Sequence, residues 1–475
     1  MPEKIAFYNT MSRKIDEITP IDGQGFKMYC CGPTVYNYAH IGNLRTYVFE
    51  DLLAKTIRMA GYKLTHVMNI TDVGHLTSDA DAGDDKMLLA AEREKMAVLD
   101  LARKYEDAFF KDEAALGITR PDIVARATEH IDDMIAFVKK LEDRGFAYVA
   151  GGNVYFDTSK FPEYGKLSGQ NRDELRHGAR VEQDSCKRNP SDFVLWFTTS
   201  KFENQVLQWD SPWGRGYPGW HIECSTMATK YLGERVDIHC GGIDHIPVHH
   251  ENEIAQSEAA MGHKWVDTWI HMAFLQVKDG KMSKSSGEFL TVDALVKKGY
   301  KPEHYKYFCL MSHYRTSANF TFEALDGAKN SYETLINKID EFKRIAATDS
   351  TENIEMENKY INDFNSFMFN DLHNPQALAV MWDAIRNNDM PAKSKLNFLK
   401  HVDKIFSMSL TAAIDAAPAE IEITDEIAKI IEERKTARAN KNWAESDRLR
   451  DELASRGIII KDMAGGEYQL LPMQK

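Results

Sequence analysis

The chain has 475 residues, too many for one hydrophobic core and enough for roughly three domains. Its formal net charge of -13 argues against non-specific coating of nucleic acid, though not against RNA binding through local basic patches. The apolar content, 43%, is ordinary for a globular protein, no run is long enough to span a bilayer, and the N-terminus does not look like a signal peptide.

The six cysteines (30, 31, 186, 224, 240, 309) are irregularly spaced, which fits reduced thiols in a cytoplasm, some of them on metal, rather than a disulfide framework. Residues 1–25 are a lead-in. An apolar run, Phe26 to Tyr29, predicts a buried strand that Gly32-Pro33 ends. Leu44, Val48 and Leu52 recur at helical spacing, so a helix is expected from about Gly42 to Ala60, with Gly61 as its stop. A second strand follows at about Leu64 to Ile70. Strand, glycine-containing loop, helix, strand is the first unit of a nucleotide-binding α/β sheet. Cys30 and Cys31 then fall at a strand's carboxyl end, where such sheets hold ligands. His40-Ile41-Gly42-Asn43 falls at a helix start, where free N–H groups and the helix dipole favour a phosphate.

The acidic stretch Asp79 to Asp85 lacks the alternation and terminal Glu of a calcium loop and reads as a solvated loop. Residues 86–145 read as helices punctuated by Arg120-Pro121. Residues 146–215 change character, with Gly151-Gly152 and short β-prone runs at Asn153 to Phe156 and Phe193 to Phe197, so an inserted subdomain is expected. The α/β pattern resumes with a helix from Trp220 to about Tyr231 and a strand from Val236 to His239. A turn at Gly241 to Asp244 leads to a helix from near Pro247 or His249 to Gly262. A strand from Ile270 to Val277 ends in a polar loop containing Lys281-Met282-Ser283-Lys284-Ser285. From about 299 to 414 the pattern is mainly helical. A linker with Pro418 precedes a small module of two helices and two strands at 421–475.

Several of these residues suit chemistry. His249 and Glu253 are four apart and share a helix face. With Cys31 and Cys224 they make a plausible zinc donor set of two thiolates, an imidazole and a carboxylate. Spacing alone leaves His245 and His250 competing with His249, and Cys30 and Cys240 with the other cysteines. Lys281 and Lys284, in a loop after a strand, can neutralise charge on a triphosphate during transfer. Asp244, after two glycines, can accept from a ribose hydroxyl.

H-I-G-N at 40–43 with K-M-S-K-S at 281–285 resembles the paired signatures of class I aminoacyl-tRNA synthetases. Y-C-C-G-P-T-V-Y, N-I-T-D, K-R-N-P-S-D-F-V-L-W, P-G-W-H-I-E-C-S and H-H-E-N-E-I-A-Q-S resemble segments of the cysteinyl-tRNA synthetases, in that family's order. The likeness runs to the R-x-x-K-x-W-like stretch at Arg438 to Trp443. Three departures stand out. Asn43 replaces the His that usually ends the first signature, Cys240 replaces a Gly before the ribose Asp, and the loop after Asp72 is longer.

The resemblance implies an α/β fold: a Rossmann-like class I catalytic core with an inserted connective subdomain, a helical bundle and a small mixed C-terminal module. The expected divisions are 1–120 and 216–298 for the core, 121–215 for the insertion, 299–414 for the bundle and 421–475 for anticodon recognition. It implies one zinc per chain on Cys31, Cys224, His249 and Glu253, selecting the thiolate of substrate cysteine over serine, and Mg²⁺ with ATP. His40, Asn43, Lys281 and Lys284 are expected at the triphosphate and transition state, Gly42, Lys284 and Asp244 at ATP, and Thr71 and Trp220 at the cysteine. Arg438, Lys441, Trp443 and Arg448 are expected at tRNA(Cys). A cytoplasmic monomer acting on ATP, L-cysteine and tRNA is expected. The rivals are a ligase that passes cysteine to an amino sugar, against which the long region beyond K-M-S-K-S argues, and a non-catalytic RNA-binding paralogue, against which the intact signatures argue.

Overall fold

Strands buried on both faces must lie in the middle of layered structure, and here five of them form the centre. The computed structural model describes residues 2–73, 76–78, 82–169, 185–199, 207–277, 290–417, 423–462 and 468–472. A hairpin of β1 (Ile5–Asn9) and β2 (Lys14–Ile18) leads into β3 (Phe26–Cys30), α1 (Ile41–Met59) and β4 (Leu64–Ile70). β5 (Leu76–Ser78) and β6 (Ala82–Asp85) pair as an antiparallel hairpin, so the stretch expected as a solvated loop at 79–85 is partly strand. α2 (Lys86–Glu94) and α3 (Val98–Ala115) follow, then β7 (Ile123–Arg126) and α4 (Ile131–Asp143).

β7 corrects the expected boundary at 121. It pairs parallel with β4, from Val67 opposite Ile123 to Ile70 opposite Arg126, and so belongs to the central sheet. Its four residues are too short to show a period and were hidden between helical patterns. The inserted sheet starts later, as the antiparallel order β11-β10-β9-β8 of β8 (Ala147–Ala150), β9 (Asn153–Phe156), β10 (Phe193–Phe197) and β11 (Tyr217–Pro218).

The chain then returns through α5 (Trp220–Leu232), β12 (Val236–Gly242), α6 (His249–Met261) and β13 (Val266–Met272). The central sheet has the order β13-β12-β3-β4-β7, all parallel. Successive connections run one way from β3 and the other way from β12. The switch point, where open α/β sheets bind ligands beyond the strands' carboxyl ends, therefore lies between β3 and β12.

The strand expected from Ile270 to Val277 is two strands. β14 (Leu275–Val277) leaves the central sheet and pairs parallel with β15 (Ala318–Phe320), which follows α7 (Val292–Lys297) and α8 (Pro302–Leu310). At the break, Ala273 donates its N–H to the Tyr314 carbonyl at 2.8 Å. Helices α9 (Phe322–Thr348), α10 (Ile354–Phe369), α11 (Asn374–Arg386), α12 (Ala392–Phe406) and α13 (Leu410–Asp415) build a bundle whose apolar side is continuous with the core under α1. Pro418 of the expected linker lies outside the described residues. The module beyond it contains α14 (Asp425–Ala439), α15 (Trp443–Ser455) and the antiparallel pair β16 (Ile458–Asp462) and β17 (Tyr468–Pro472), around its own small core.

Candidate active site

Two glycines let the strand ends at the switch point approach other groups. A Cβ on Gly32 would sit 1.7 Å from the Asn69 carbonyl oxygen, and one on Gly241 would sit 2.6 Å from His245 Nδ1. The Gly32 N–H also donates to Asn69 Oδ1 at 2.9 Å, fixing the turn after Cys31. The cavity there, about 430 Å³, is lined among others by Cys31, Trp220, Cys224 and His249, by His40 and Asn43, and by Gly242 and Asp244.

Strand alternation separates the paired cysteines. Cys30 joins the core under α1, together with Cys240, whereas Cys31 joins the core on the other side of the sheet, together with Cys224. Cys224 comes from α5, and His249 and Glu253 from the first two turns of α6. One donor atom from each of these four buried residues lies within 4.8 Å of the others. Cys31 Sγ is 4.0 Å from Cys224 Sγ and 4.0 Å from Glu253 Oε1. His249 Nε2 is 2.9 Å from Glu253 Oε1. Its other nitrogen, Nδ1, is 2.9 Å from His221 Nδ1, and its ring stacks on Trp220 with centroids 4.0 Å apart.

A second grouping shares Cys31 and Glu253 but uses His239 and His250. His239 Nε2 lies 2.9 Å from Glu253 Oε2, which leaves Oε1 for His249. His250 Nε2 is 3.3 Å from Cys31 Sγ, while its Nδ1 is 2.8 Å from His271 Nε2. Neither His239 nor His250 lines the cavity, whereas Cys31, Cys224 and His249 all do. Three members of the first grouping line the cavity, against Cys31 alone of the second.

Within that grouping, acidic groups face a basic imidazole. Burial would raise the Cys224 thiol, but the hydrogen bond with Cys31 and the nearby His249 bring it down to about 6. Burial also opposes ionisation of Glu253, yet His239 and His249 hold it down to about 2. Burial disfavours a charged His249, and the facing Glu253 and Cys224 nevertheless push it up to about 10. Cys31 is pushed up by burial and by its bond with Cys224. A bound soft divalent cation would replace the imidazolium proton as the counter-charge.

His40 and Asn43 form the other wall. His40 caps α1, its Nδ1 accepting the Asn43 N–H at 3.0 Å, and Asn43 Oδ1 accepts the His40 N–H at 3.4 Å. The pair is a capping box, and Asn43 serves in it as the second acceptor. Gly42 is the second residue of that helix. Asp244 follows β12, and a Cβ on Gly242 would lie 2.2 Å from its Oδ1. Thr71 adjoins the cavity: its hydroxyl donates to Glu223 Oε2 at 2.8 Å and accepts from the amide of the lining residue Asn69 at 3.2 Å. Lys281 and Lys284 lie outside the described residues. Asn69, the first residue of N-I-T-D, adds a role that its spacing in the sequence does not reveal. Its amide holds the Cys31–Gly32 turn, and its Oδ1 lies 3.7 Å from Cys224 Sγ.

Residues 17–330 match the family model described as the class I (C) tRNA synthetase catalytic domain, and residues 421–468 match the cysteinyl-tRNA ligase anticodon binding domain. The chain belongs to the cysteinyl-tRNA ligase family. Cysteine–tRNA ligases of Treponema denticola and Borrelia hermsii are 48% and 43% identical to it, each alignment covering 97% of this chain and 98% of the relative. The fold extends further. A Mycobacterium tuberculosis methionyl-tRNA synthetase structure with methionyl-adenylate superposes with a TM-score of 0.59 at 14% identity, over 83% of this chain and 95% of that one.

The small C-terminal module engages its basic residues differently. Arg434 is buried in a two-pronged pair with Asp462, both bonds 2.9 Å. Arg448 is held between Glu445 and Glu452. Both are committed to the module itself. Trp443 is 57% exposed, with the Arg438 guanidinium 5.7 Å from its ring centre. Lys441 stands beside it in the left-handed region, at a φ of 56°. Arg438 also bonds Asp462, at 2.7 Å, while its guanidinium stays near the exposed Trp443 ring.

Proposed function

We propose that this chain couples L-cysteine to tRNA(Cys) in two steps. The cysteine carboxylate attacks the ATP α-phosphate, a P–O bond to pyrophosphate breaks, and cysteinyl-adenylate remains. A terminal ribose hydroxyl of the tRNA then takes the cysteinyl group and releases AMP. The observation that carries this reading is one cavity lined by both the Cys31–Cys224–His249 donor wall and the capped start of α1.

Cys31, Cys224, His249 and Glu253 would hold one zinc, which supplies selection of a soft thiolate over a serine hydroxyl of nearly the same shape. Trp220, stacked on His249, bounds the amino-acid pocket. The His40 and Asn43 side chains at the start of α1 take the triphosphate, with Mg²⁺ accompanying ATP and Gly42 allowing its close approach. Asp244 accepts from the ribose hydroxyls. Lys281 and Lys284 stabilise the charge that develops as pyrophosphate leaves, so placement and electrostatics carry the rate. Arg438, Lys441 and Trp443 suit unstacked anticodon bases. The protein works as a cytoplasmic monomer. No helix among the described residues is long and apolar enough to cross a membrane.

Cysteine-dependent exchange between ATP and pyrophosphate, followed by charging of tRNA(Cys), tests the proposal. Exchange should require cysteine and ignore serine. Exchange without cysteine specificity, or transfer to an amino sugar in place of tRNA, would overturn it.

A further inference from the structure

A backbone N–H can only donate, so it fixes the polarity of any hydrogen-bonded chain that ends on it. Such a chain runs through buried side chains behind the donor wall. The Gly32 N–H donates to Asn69 Oδ1 at 2.9 Å. The Asn69 amide must therefore present its oxygen to the turn and its nitrogen the other way. Nδ2 donates to the Thr71 hydroxyl at 3.2 Å. Having accepted there, the hydroxyl gives its one proton to Glu223 Oε2 at 2.8 Å. Asn69, Thr71 and Glu223 are all buried. The relay thus ends on an oxygen that must accept, and a carboxylate, a carboxylic acid or a primary amide can each offer one. The backbone beneath is fixed separately. The Thr71 N–H donates to the Pro33 carbonyl at 3.1 Å, and the Thr71 carbonyl accepts the Val35 N–H at 3.2 Å. Those two bonds place residue 71 but choose neither the direction of its hydroxyl nor the face of the Asn69 amide.

We propose that Glu223 is a positioning residue for the two thiols of the zinc site: by taking the Thr71 proton it fixes which way the Asn69 amide faces, and that amide sets the Cys31–Gly32 turn against Cys224. Cys31 and Cys224 are 193 residues apart in sequence, and their sulfurs lie 4.0 Å apart. The relay joins their immediate neighbours, Gly32 after the first thiol and Glu223 before the second. A reversed amide would set Nδ2 against the Gly32 N–H, two donors with no acceptor between them. It would also replace Oδ1 beside Cys224 Sγ, where the oxygen now lies at 3.7 Å. The turn would have to yield, and Cys31 would move with it. Groups that orient metal ligands in this way are each worth about 10- to 100-fold in metal affinity.

The inference rests on the proposed zinc ligands, and the test separates the two. Glu223→Leu, of similar bulk but with no acceptor, is compared with Glu223→Gln, which keeps one, in the full-length protein. Thr71→Val and Thr71→Ser repeat the comparison at the middle of the relay and decide the matter if Glu223→Leu folds poorly. The readouts are zinc affinity by competition with a chelator, the visible spectrum with cobalt(II) in place of zinc, and thermal unfolding. The expected result is zinc held about 10- to 100-fold more weakly and an altered cobalt–thiolate band in Glu223→Leu and Thr71→Val, with affinity restored to within about threefold in Glu223→Gln and Thr71→Ser. Wild-type affinity and spectrum in the folded Glu223→Leu and Thr71→Val variants would overturn the relay and leave the ligands standing. So would a loss in Glu223→Gln as deep as that in Glu223→Leu, since charge rather than acceptance would then matter. A lower Tm with unaltered zinc affinity would make Glu223 a purely structural residue and also overturn it. Zinc affinity is read without substrate, so a wild-type protein that binds zinc but fails to activate cysteine would strike the proposed reaction and not the relay. A wild-type protein that binds no stoichiometric zinc would overturn the ligand set and the relay together.

Discussion

Two walls of one cavity are built by opposite means. The donor wall is closed: Cys31, Cys224, His249 and Glu253 are buried, packed by Trp220 and oriented by Asn69, His221 and His239. The helix-start wall is open: Asn43 is exposed, and its amide and the His40 ring satisfy each other's backbone. The first wall is organised by packing before any substrate arrives, so its donors need no search for position. The second keeps its polar groups occupied with capping, and phosphate binding asks them to exchange partners. Selectivity needs rigidity, whereas a wall that admits and releases a charged nucleotide gains from groups that can swap bonds.

The largest expected effect breaks the closed wall. Cys224→Ser combined with His249→Ala should abolish stoichiometric zinc and lower exchange by more than the ~100-fold that even outer-shell losses cause. Metal analysis on the purified variant checks it, and retained zinc would shift the assignment toward the Cys31–His239–His250–Glu253 grouping. Next comes the proposed triphosphate chemistry. Lys284→Ala should slow adenylate formation by about a hundredfold or more while leaving cysteine affinity unchanged, measured by rapid quench and by direct binding. An equal loss of cysteine affinity would mean that Lys284 acts on cysteine binding as well as on adenylation.

A smaller effect lies outside both walls. Trp443→Ala should weaken tRNA binding by about tenfold, the scale of one lost base stack, with exchange intact. Filter binding against exchange kinetics separates these, and a fall in exchange would show that the C-terminal module acts on the cavity. The smallest effect is on stability. Asn43→Ala removes one half of the capping box and should cost about 0.5–1 kcal/mol, seen as a modest drop in Tm, together with slower exchange. A lowered Tm at an undiminished exchange rate would leave Asn43 as a cap alone.

Much of the fold is legible locally. The β3–α1–β4 unit, the start of α6 at His249 and the two-helix module near 440 all sit where periodicity, glycines and capping residues put them. The misreadings share a cause. β7 has four residues, and its strand character comes from pairing with β4 rather than from its own pattern. The division between β13 and β14 leaves no mark in an apolar run, since Arg45 and Tyr314 impose it from distant chain positions.

By itself the sequence determined the element types, the helix starts and the kinds of donor atom available, because these follow from spacings of a few residues and from side-chain chemistry. It could not choose among Cys30, Cys31 and Cys240, or among His245, His249 and His250, without a family likeness. That choice was tertiary. Strand alternation sends Cys30 and Cys31 to opposite sides of the sheet, and the crossing of α5 and α6 beyond β3 brings Cys224, His249 and Glu253 to the same side as Cys31. Metal ligation depends on distances between atoms far apart in the chain. Those distances are fixed only when the sheet, the two helices and the glycine turns at 32 and 241 have packed against one another.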